Sequence, residues 1–328
     1  MKCLCCGKDL SEKATVEEFE TSWHSACVKK FFGTSVMPEI RLTREMLNRI
    51  ATDSVSKGIT VPGVQKKLSL HLDTEGSAPR LTLINYPSGY ILKPQTEQYE
   101  SLPEAEYLVM QMAVRTGIAT VPHALIKIGN DNSNLAYITK RIDRVMPSKK
   151  NSTVKRLAME DFCQLDGRLT ENKYQGSYER CAKIISSYSS QTGFDLSELF
   201  LRLVFCFVTG NSDMHLKNFS LIETDERSGR YVLSAAYDLL PVNIIIPEDK
   251  EQTALTLNGR KIKIRRKDFL KFANNSNIPI KASERMIQKV ISMKDTYLTM
   301  CEESYMPVDM KEKMAVLIDD RIGALEDN

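Results

Sequence analysis

The hydrophobic pattern changes its period part-way along the chain, and this change constrains the fold more than any other feature. From Lys67 apolar and polar residues alternate in KLSLHL (Lys67–Leu72), then in RLTLI (Arg80–Ile84) and GYILK (Gly89–Lys93). Alternation of this kind buries one face of a strand, and the turn residues at 73–79 and 85–88 separate the segments. Leu102–Thr116 instead places Ala105, Leu108, Val109, Met112 and Ala113 on one helical stripe, with Gly117 as its stop. HALIKI (His123–Ile128) and LAYITKRI (Leu135–Ile142) return to strands. After Asp143 the spacing predicts helices over Ala158–Leu165, Tyr178–Ser187, Leu196–Val208, Ala282–Ser292 and Val308–Leu325. A hairpin, Phe219–Glu223 with Tyr231–Ala236, interrupts them, and a basic helix is expected over Arg41–Ala51. The order predicts an α+β chain of two lobes, the first β-rich and the second mostly α-helical.

Composition narrows the function classes. The 328 residues are enough for about two domains and a sizeable core. Lys+Arg exceed Asp+Glu by 45 − 42 = 3, too balanced for a dedicated nucleic-acid or membrane-surface binder. The N-terminus has no apolar stretch suited to a signal peptide. Leu196–Val208 is interrupted by Glu198 and Arg202, so it falls short of the about 20 apolar residues of a membrane span. A cytoplasmic protein with reduced thiols is expected, with Cys163, Cys181, Cys206 and Cys301 as buried apolar side chains.

The segment GNSDMHLKNFSLIE (Gly210–Glu223) follows an apolar helix and runs into the hairpin. Asp213 and Asn218 stand five positions apart, the spacing of a loop that carries both a base and a metal ligand for phosphoryl transfer. A carboxylate must orient the attacking hydroxyl and accept its proton, and an amide oxygen must hold Mg²⁺. A second ligand is expected after the hairpin, where Asp238 stands in AYDLLP. Taken alone, the spacing is also that of a pair of turn caps. The ordering of loop, hairpin and Asp is much harder to produce by chance. Upstream, Lys93 ends the third strand and Glu106 lies on the next helix, able to steady it. The loop Thr60–Lys67 could cover phosphates with its backbone amides.

A second constellation sits at the N-terminus. Cys3 and Cys6, then seventeen intervening residues, then His24 and Cys27 give two ligand pairs at a spacing that suits tetrahedral Zn²⁺. Cys5 could substitute for one of them. A unit of about 33 residues is too small to fold on its own core, so a metal would supply the stability. The expected division is a zinc-ribbon-like module at 1–33, an N-lobe at 34–145 and a helical C-lobe at 146–328. The run GRKIKIRRK (Gly259–Lys267) is read as a strand with a solvated basic face.

Together these stretches resemble the HipA-like toxin kinases of bacterial toxin–antitoxin systems. The resemblance is carried by PGVQKKLSL (62–70), YILKP (90–94), LPEAEYLVMQMA (102–113), KRIDR (140–144), MEDFCQLDGR (159–168), GNSDMHLKNFSL (210–221) and YDLLP (237–241). It implies a protein-kinase-like fold and an ATP-dependent serine/threonine kinase. Asp213 would be the base, and Asn218 and Asp238 the Mg²⁺ ligands. Pro62, Gly63, Val64, Gln65, Lys66 and Lys67 would form the phosphate loop, with Lys93 on the phosphates. His215, Leu216, Lys217, Tyr237, Leu239 and Leu240 would line the nucleotide site. Lys140, Arg141 and Ile142 would be the hinge, where longer relatives carry Glu and Phe in place of Lys140 and Ile142. Thr60 is the expected autophosphorylation site. The implied partners are a DNA-binding antitoxin, through which DNA is met only indirectly, a protein substrate such as an aminoacyl-tRNA synthetase, and a small protein in place of an N-terminal subdomain that longer relatives carry. No membrane partner is implied. A small-molecule kinase of the same fold and a non-catalytic repressor subunit are the alternatives. The first normally has His-Gly before the Asp, where this chain has Asn211-Ser212.

Overall fold

The computed structural model describes residues 1–40, 67–74, 78–82, 89–129, 134–145 and 154–326. The helix expected at Arg41–Ala51, Thr60 and the loop residues Pro62–Lys66 lie outside them. The chain divides into two units, Met1–Tyr107 with Val121–Ile142, and Leu108–Thr120 with Asp143–Asn328.

The first unit begins with two short helices, α1 (Val16–Thr21) and α2 (Ser25–Phe32). It continues with β1 (Glu39–Ile40), β2 (Leu68–Asp73), β3 (Arg80–Thr82) and β4 (Tyr90–Pro94). Helix α3 (Leu102–Thr116) follows, its residues from Leu108 onward belonging to the second unit, then β5 (His123–Ile128) and β6 (Asn134–Lys140). The strands form one sheet in the order β1-β3-β2-β4-β6-β5, antiparallel except for the β1–β3 pair. The alternation read from the sequence holds in β2, where Leu68 and Leu70 are buried and Ser69 is exposed. Helix α3 buries more than its predicted stripe: Leu102, Glu106 and Met110 join Ala105, Val109, Met112 and Ala113 in the interior. It ends as expected at Gly117, whose φ of 83° only glycine adopts without strain.

β5 lies at the sheet edge, and the N-terminal segment closes that edge. The Leu125 amide donates to the Leu4 carbonyl (2.9 Å), and the Trp23 indole N–H donates to the Leu125 carbonyl (3.1 Å). An open edge is a template for unwanted pairing, so this cover has a structural purpose. Phe31 and Phe32 pack on Tyr90 of β4, at 6.0 and 5.5 Å between ring centroids.

His123, on the same strand, is buried, and its ring nitrogen Nδ1 lies 2.8 Å from the Val121 carbonyl. Burial pushes its pKa down to about 4, from 6.5. The unfolded chain therefore holds the extra proton between those values. Stability from this group is complete above about pH 6.5 and is lost as the pH falls towards 4, by roughly 3 kcal/mol. Urea unfolding across that window should show a steeper acid loss for the wild type than for His123→Asn.

The second unit opens with the two-stranded β7 (Arg144–Val145) and β8 (Lys155–Arg156) pair, then β9 (Met159–Asp161) and α4 (Phe162–Leu165). Helices α5 (Tyr178–Tyr188) and α6 (Thr192–Val208) precede the hairpin β10 (Ser220–Glu223) and β11 (Tyr231–Leu233). The rest is helical: α7 (Val242–Ile245), α8 (Arg266–Asn275), α9 (Ile280–Ser292), α10 (Lys294–Glu302) and α11 (Val308–Glu326). Helix α6 runs through the core, with Leu199 to Val208 all buried. Its buried Arg202 is satisfied by Glu198 (2.9 Å) and the Ser234 carbonyl (2.7 Å). Among the described residues no helix is long and apolar enough to cross a membrane.

Two expectations are corrected. Met159–Asp161 opens as a strand, not as the first turn of a helix, because it pairs with β10 in register Ser220↔Asp161 and Ile222↔Met159. The basic run Gly259–Lys267 is not a strand. Lys263 adopts φ +55°, which breaks an extended run, and from Arg266 the chain is helical, with Asp268 accepting the Arg265 amide (2.9 Å).

Candidate active site

In the second unit, the loop that carries Asp213 and Asn218 grows out of the end of α6. Gly210 has φ +68°, and a Cβ there would come within 2.8 Å of Leu317 Cδ2, so the sharp exit of the chain requires glycine. The loop beyond it is braced from below. Ser212 Oγ donates to Asp249 (2.6 Å), and Asn243 Nδ2 donates to the Asp249 and Glu251 carbonyls (3.1 and 3.0 Å). Arg321 of α11 in turn donates to Asn243 Oδ1 (3.1 Å).

Asp213 is half-buried, and Asn218 is 7% exposed at the end of a single 3₁₀ turn, Leu216–Asn218. The two are joined directly: Asn218 Nδ2 donates to the Asp213 carbonyl at 2.8 Å. That bond engages the amide nitrogen and leaves the amide oxygen as the atom suited to a cation. His215 is buried, and its Nδ1 accepts the Lys217 amide (3.3 Å). Lys217 Nζ forms an ion pair with Asp161 at 2.7 Å, which fixes it beside the loop.

Asp238 comes back to this loop through its neighbour. The Tyr237 hydroxyl donates to the Lys217 carbonyl (3.1 Å) and meets Ser220 Oγ at 2.5 Å. Residues immediately preceding Asn218 and Asp238 are thereby tied together. Burial pushes the Tyr237 phenol well above its ordinary pKa, so it stays protonated as a donor. Asp238 itself adopts φ +56°, a left-handed conformation that Asp tolerates better than most residues. Two oxygen donors, an amide and a carboxylate, suit a hard cation such as Mg²⁺. Leu239 is fully buried in the core, while Leu240 is half-buried.

In the first unit the candidate residues centre on Lys93. Its Nζ lies 2.5 Å from Glu106 Oε1 and 5.2 Å above the Tyr137 ring, with Lys93 and Glu106 side chains 3% and 0% exposed. The pairing expected between strand and helix is present. Removing one member of a buried pair strands the other's charge, which costs about 3–5 kcal/mol. Glu106→Ala should therefore lower the urea midpoint of the first unit's unfolding transition strongly, and Glu106→Gln less. Among the expected hinge residues, Lys140 closes β6 with its Nζ over the Phe31 ring at 5.5 Å, and burial lowers its pKa. The Arg141 amide donates to the Gly89 carbonyl (2.9 Å), and Ile142 is half-buried. Lys67 is exposed just before β2.

The N-terminal donors also converge. The ligand atoms of Cys3, Cys6, His24 and Cys27 lie within 4.8 Å of one another. Tetrahedral Zn²⁺ holds its ligands roughly 3.3–3.8 Å apart, so small side-chain rotations complete the set. His24 Nδ1 faces Cys6 Sγ (3.5 Å) and Cys27 Sγ (3.9 Å), while Nε2 donates to the Asp9 carbonyl (3.2 Å). That outer hydrogen bond selects Nδ1 as the ligand, as outer-shell partners of zinc histidines do. Cys5 is outside the group of four.

Comparison with known proteins now decides the family. The HipA-like C-terminal domain model matches residues 59–297. The chain belongs to the HipA-like family. A relative from Haemophilus influenzae, named "Putative kinase", is 25% identical over 293 residues, 82% of each chain. A second, "Putative kinase Y4dM" of Sinorhizobium fredii, is 30% identical over 62% of this chain and 49% of its own, so the chain spans about half of that protein. Among solved structures, HipA of Shewanella oneidensis MR-1, in complex with HipB and operator DNA, superposes with a TM-score of 0.67 at 18% identity. That match covers 81% of this chain and 65% of that one. The Helicobacter pylori proinflammatory kinase CtkA gives 0.51 at 15% identity, over 74% and 90%. Both likenesses establish a kinase-like α+β fold for this HipA-like chain.

Several residues that shape the site escape a reading of the sequence. Tyr174 donates to Asp213 Oδ1 at 2.6 Å from a segment with no motif. Asp249 and Asn243 support the loop from 31 or more positions away. Asp161 alone carried a signal, since it lies within the MEDFCQLDGR stretch.

Proposed function

We propose that this chain is an ATP-dependent protein serine/threonine kinase and the toxin component of a bacterial type II toxin–antitoxin system. The observation that carries the reading is the Tyr237 hydroxyl on the Lys217 carbonyl, which brings the flanks of Asn218 and Asp238 together beside Asp213. In this reading Asp213 accepts the proton of the substrate hydroxyl as that oxygen attacks the γ-phosphorus and ADP leaves. Asn218 and Asp238 would hold Mg²⁺, which neutralises charge on the phosphates. Lys93, held by Glu106, would contact the same nucleotide. His215, Leu216, Lys217, Tyr237 and Leu240 would surround it, Lys140–Ile142 would meet the base, and Pro62–Lys67 would cover the phosphates. Full burial of Leu239 favours a supporting role for that residue.

The toxin role is supported by the likeness to HipA, which was solved with HipB and operator DNA. A DNA-binding antitoxin is the partner proposed here, and a cytoplasmic translation protein such as an aminoacyl-tRNA synthetase is the proposed substrate. Thr60 is the proposed autophosphorylation site. Zn²⁺ on Cys3, Cys6, His24 and Cys27 is proposed as structural, supported by the closeness of the four donors. We retain 1–33, 34–145 and 146–328 as the functional division, with a small separate protein standing in for the subdomain that longer relatives carry.

Expression from a tightly controlled promoter tests the reading. Growth should arrest with the wild type and not with Asp213→Ala, and phosphate should appear on serine or threonine of a cellular protein only with the wild type. Equal toxicity from both would overturn it.

A further inference from the structure

The strongest feature that the proposed function leaves unused is the side chain bound to its base. Tyr174 donates its hydroxyl to Asp213 Oδ1 at 2.6 Å. A substrate alcohol must make the same contact, an O–H donated to a carboxylate oxygen at roughly 2.5–3.0 Å, before its proton can be taken. We propose that Tyr174 is an internal acceptor mimic, its hydroxyl holding the place on Asp213 that the substrate hydroxyl takes during phosphoryl transfer. This deepens the kinase reading and rests on Asp213 being the base.

The surroundings show which part can move. On one side the Leu216 amide donates to the Lys173 carbonyl (3.2 Å). On the other the Tyr178 amide donates to the Thr256 carbonyl (3.0 Å), and Ser177 and Thr256 form a β-bridge. The backbone around Tyr174 is therefore anchored at both ends. Tyr174 as a residue is 44% exposed, so rotation about its side-chain bonds releases Asp213 without unfolding the segment. In its present rotamer the ring stands edge-on to His215, with centroids 5.0 Å apart, and Lys173 Nζ lies 4.9 Å from the ring centroid. These contacts belong to the ring and persist when the hydroxyl is removed. Burial and the adjoining Asp213 both push the phenol pKa up, so the group remains a donor at neutral pH, as a serine or threonine would be.

Two consequences follow from an occupied base. Water is kept from Asp213 Oδ1, so hydrolysis of ATP without a substrate is suppressed. An incoming protein hydroxyl must displace the phenol, so weak acceptors are rejected and only well-bound ones gain access.

Tyr174→Phe keeps the ring and removes the hydroxyl. With the full-length chain, Mg²⁺ and ATP, its substrate-independent ATP hydrolysis should rise roughly tenfold, the size expected from losing a hydrogen bond to a charged group. The KM for a serine peptide acceptor should fall by a similar factor, with kcat little changed. A parallel fall in hydrolysis and kcat would overturn the proposal in favour of a positioning role. Unchanged rates would overturn it in favour of a structural one, and phosphate found on Tyr174 would make the residue an acceptor instead. Asp213→Ala in the same assays separates the two readings. If it retains transfer, the assignment of the base fails and this inference falls with it. If it is inactive while Tyr174→Phe behaves as the wild type, only the mimic is refuted.

Discussion

Asp213→Ala should lower the rate of phosphoryl transfer by about 10²–10⁴-fold while leaving nucleotide affinity close to wild type. The carboxylate is half-buried on a loop that Ser212, Asp249, Asn243 and Arg321 hold in place, so the substitution should not disturb the backbone. Its neighbours should fail differently. Asp238→Asn removes charge from the proposed cation site and should weaken Mg²⁺-dependent nucleotide binding as well as turnover. Asn218→Ala removes the amide oxygen, and it also breaks the bond to the Asp213 carbonyl. It should therefore combine both defects. Calorimetric titration of nucleotide at several Mg²⁺ concentrations, beside kcat for each variant, separates the roles. Equal loss of affinity in all three would argue that Asp213 is a ligand and not a base.

Removing metal from the N-terminal site should have the largest effect on stability. Structural zinc supplies about 10–16 kcal/mol in small zinc-finger peptides at neutral pH, here in addition to the packing of Trp23, Phe31 and Phe32. The readout is built in. Trp23 is the chain's single tryptophan, is fully buried, and donates to the Leu125 carbonyl of β5. It also contacts Phe31 and Phe32, both at 5.5 Å between centroids, and these rings continue onto Tyr90. A zinc-selective chelator should red-shift Trp23 emission and lower the first unit's thermal transition, and added zinc should reverse both. Metal analysis should find one zinc ion per chain. No metal in protein purified without chelator, together with an emission spectrum indifferent to chelation, would contradict the assignment. Because Leu4 also closes the β5 edge, loss of metal should expose that strand and promote aggregation.

How legible each feature was in the sequence depended on whether its cause is local. β5 and α3 have the bounds that periodicity predicted, because alternation and helical spacing are properties of adjacent residues. The Lys93–Glu106 pair was legible for a different reason: strand, Lys, helix and Glu come in an order that a kinase-like site uses. The cysteine pairs were legible because metal-ligand spacing repeats within short turns. Met159–Asp161 was not, since its strand character comes from β10, which lies about 60 residues further along the chain. The helices α8 and α10 were also missed. Arg266–Asn275 begins inside a run whose Lys–Ile alternation imitates a strand, and only the left-handed Lys263 shows that the run breaks. Tyr174, Asn243 and Asp249 act through tertiary contacts and belong to no motif, so nothing in the neighbouring sequence marks them.

A crystal structure of the chain with Mg²⁺ and a non-hydrolysable ATP analogue tests the account most directly. The account predicts Asn218 Oδ1 and the Asp238 carboxylate on the metal, Lys93 Nζ on the phosphates, and Asp213 facing the open side of the γ-phosphate. Side chains of Asp213, Asn218 and Asp238 directed away from a common nucleotide would contradict it.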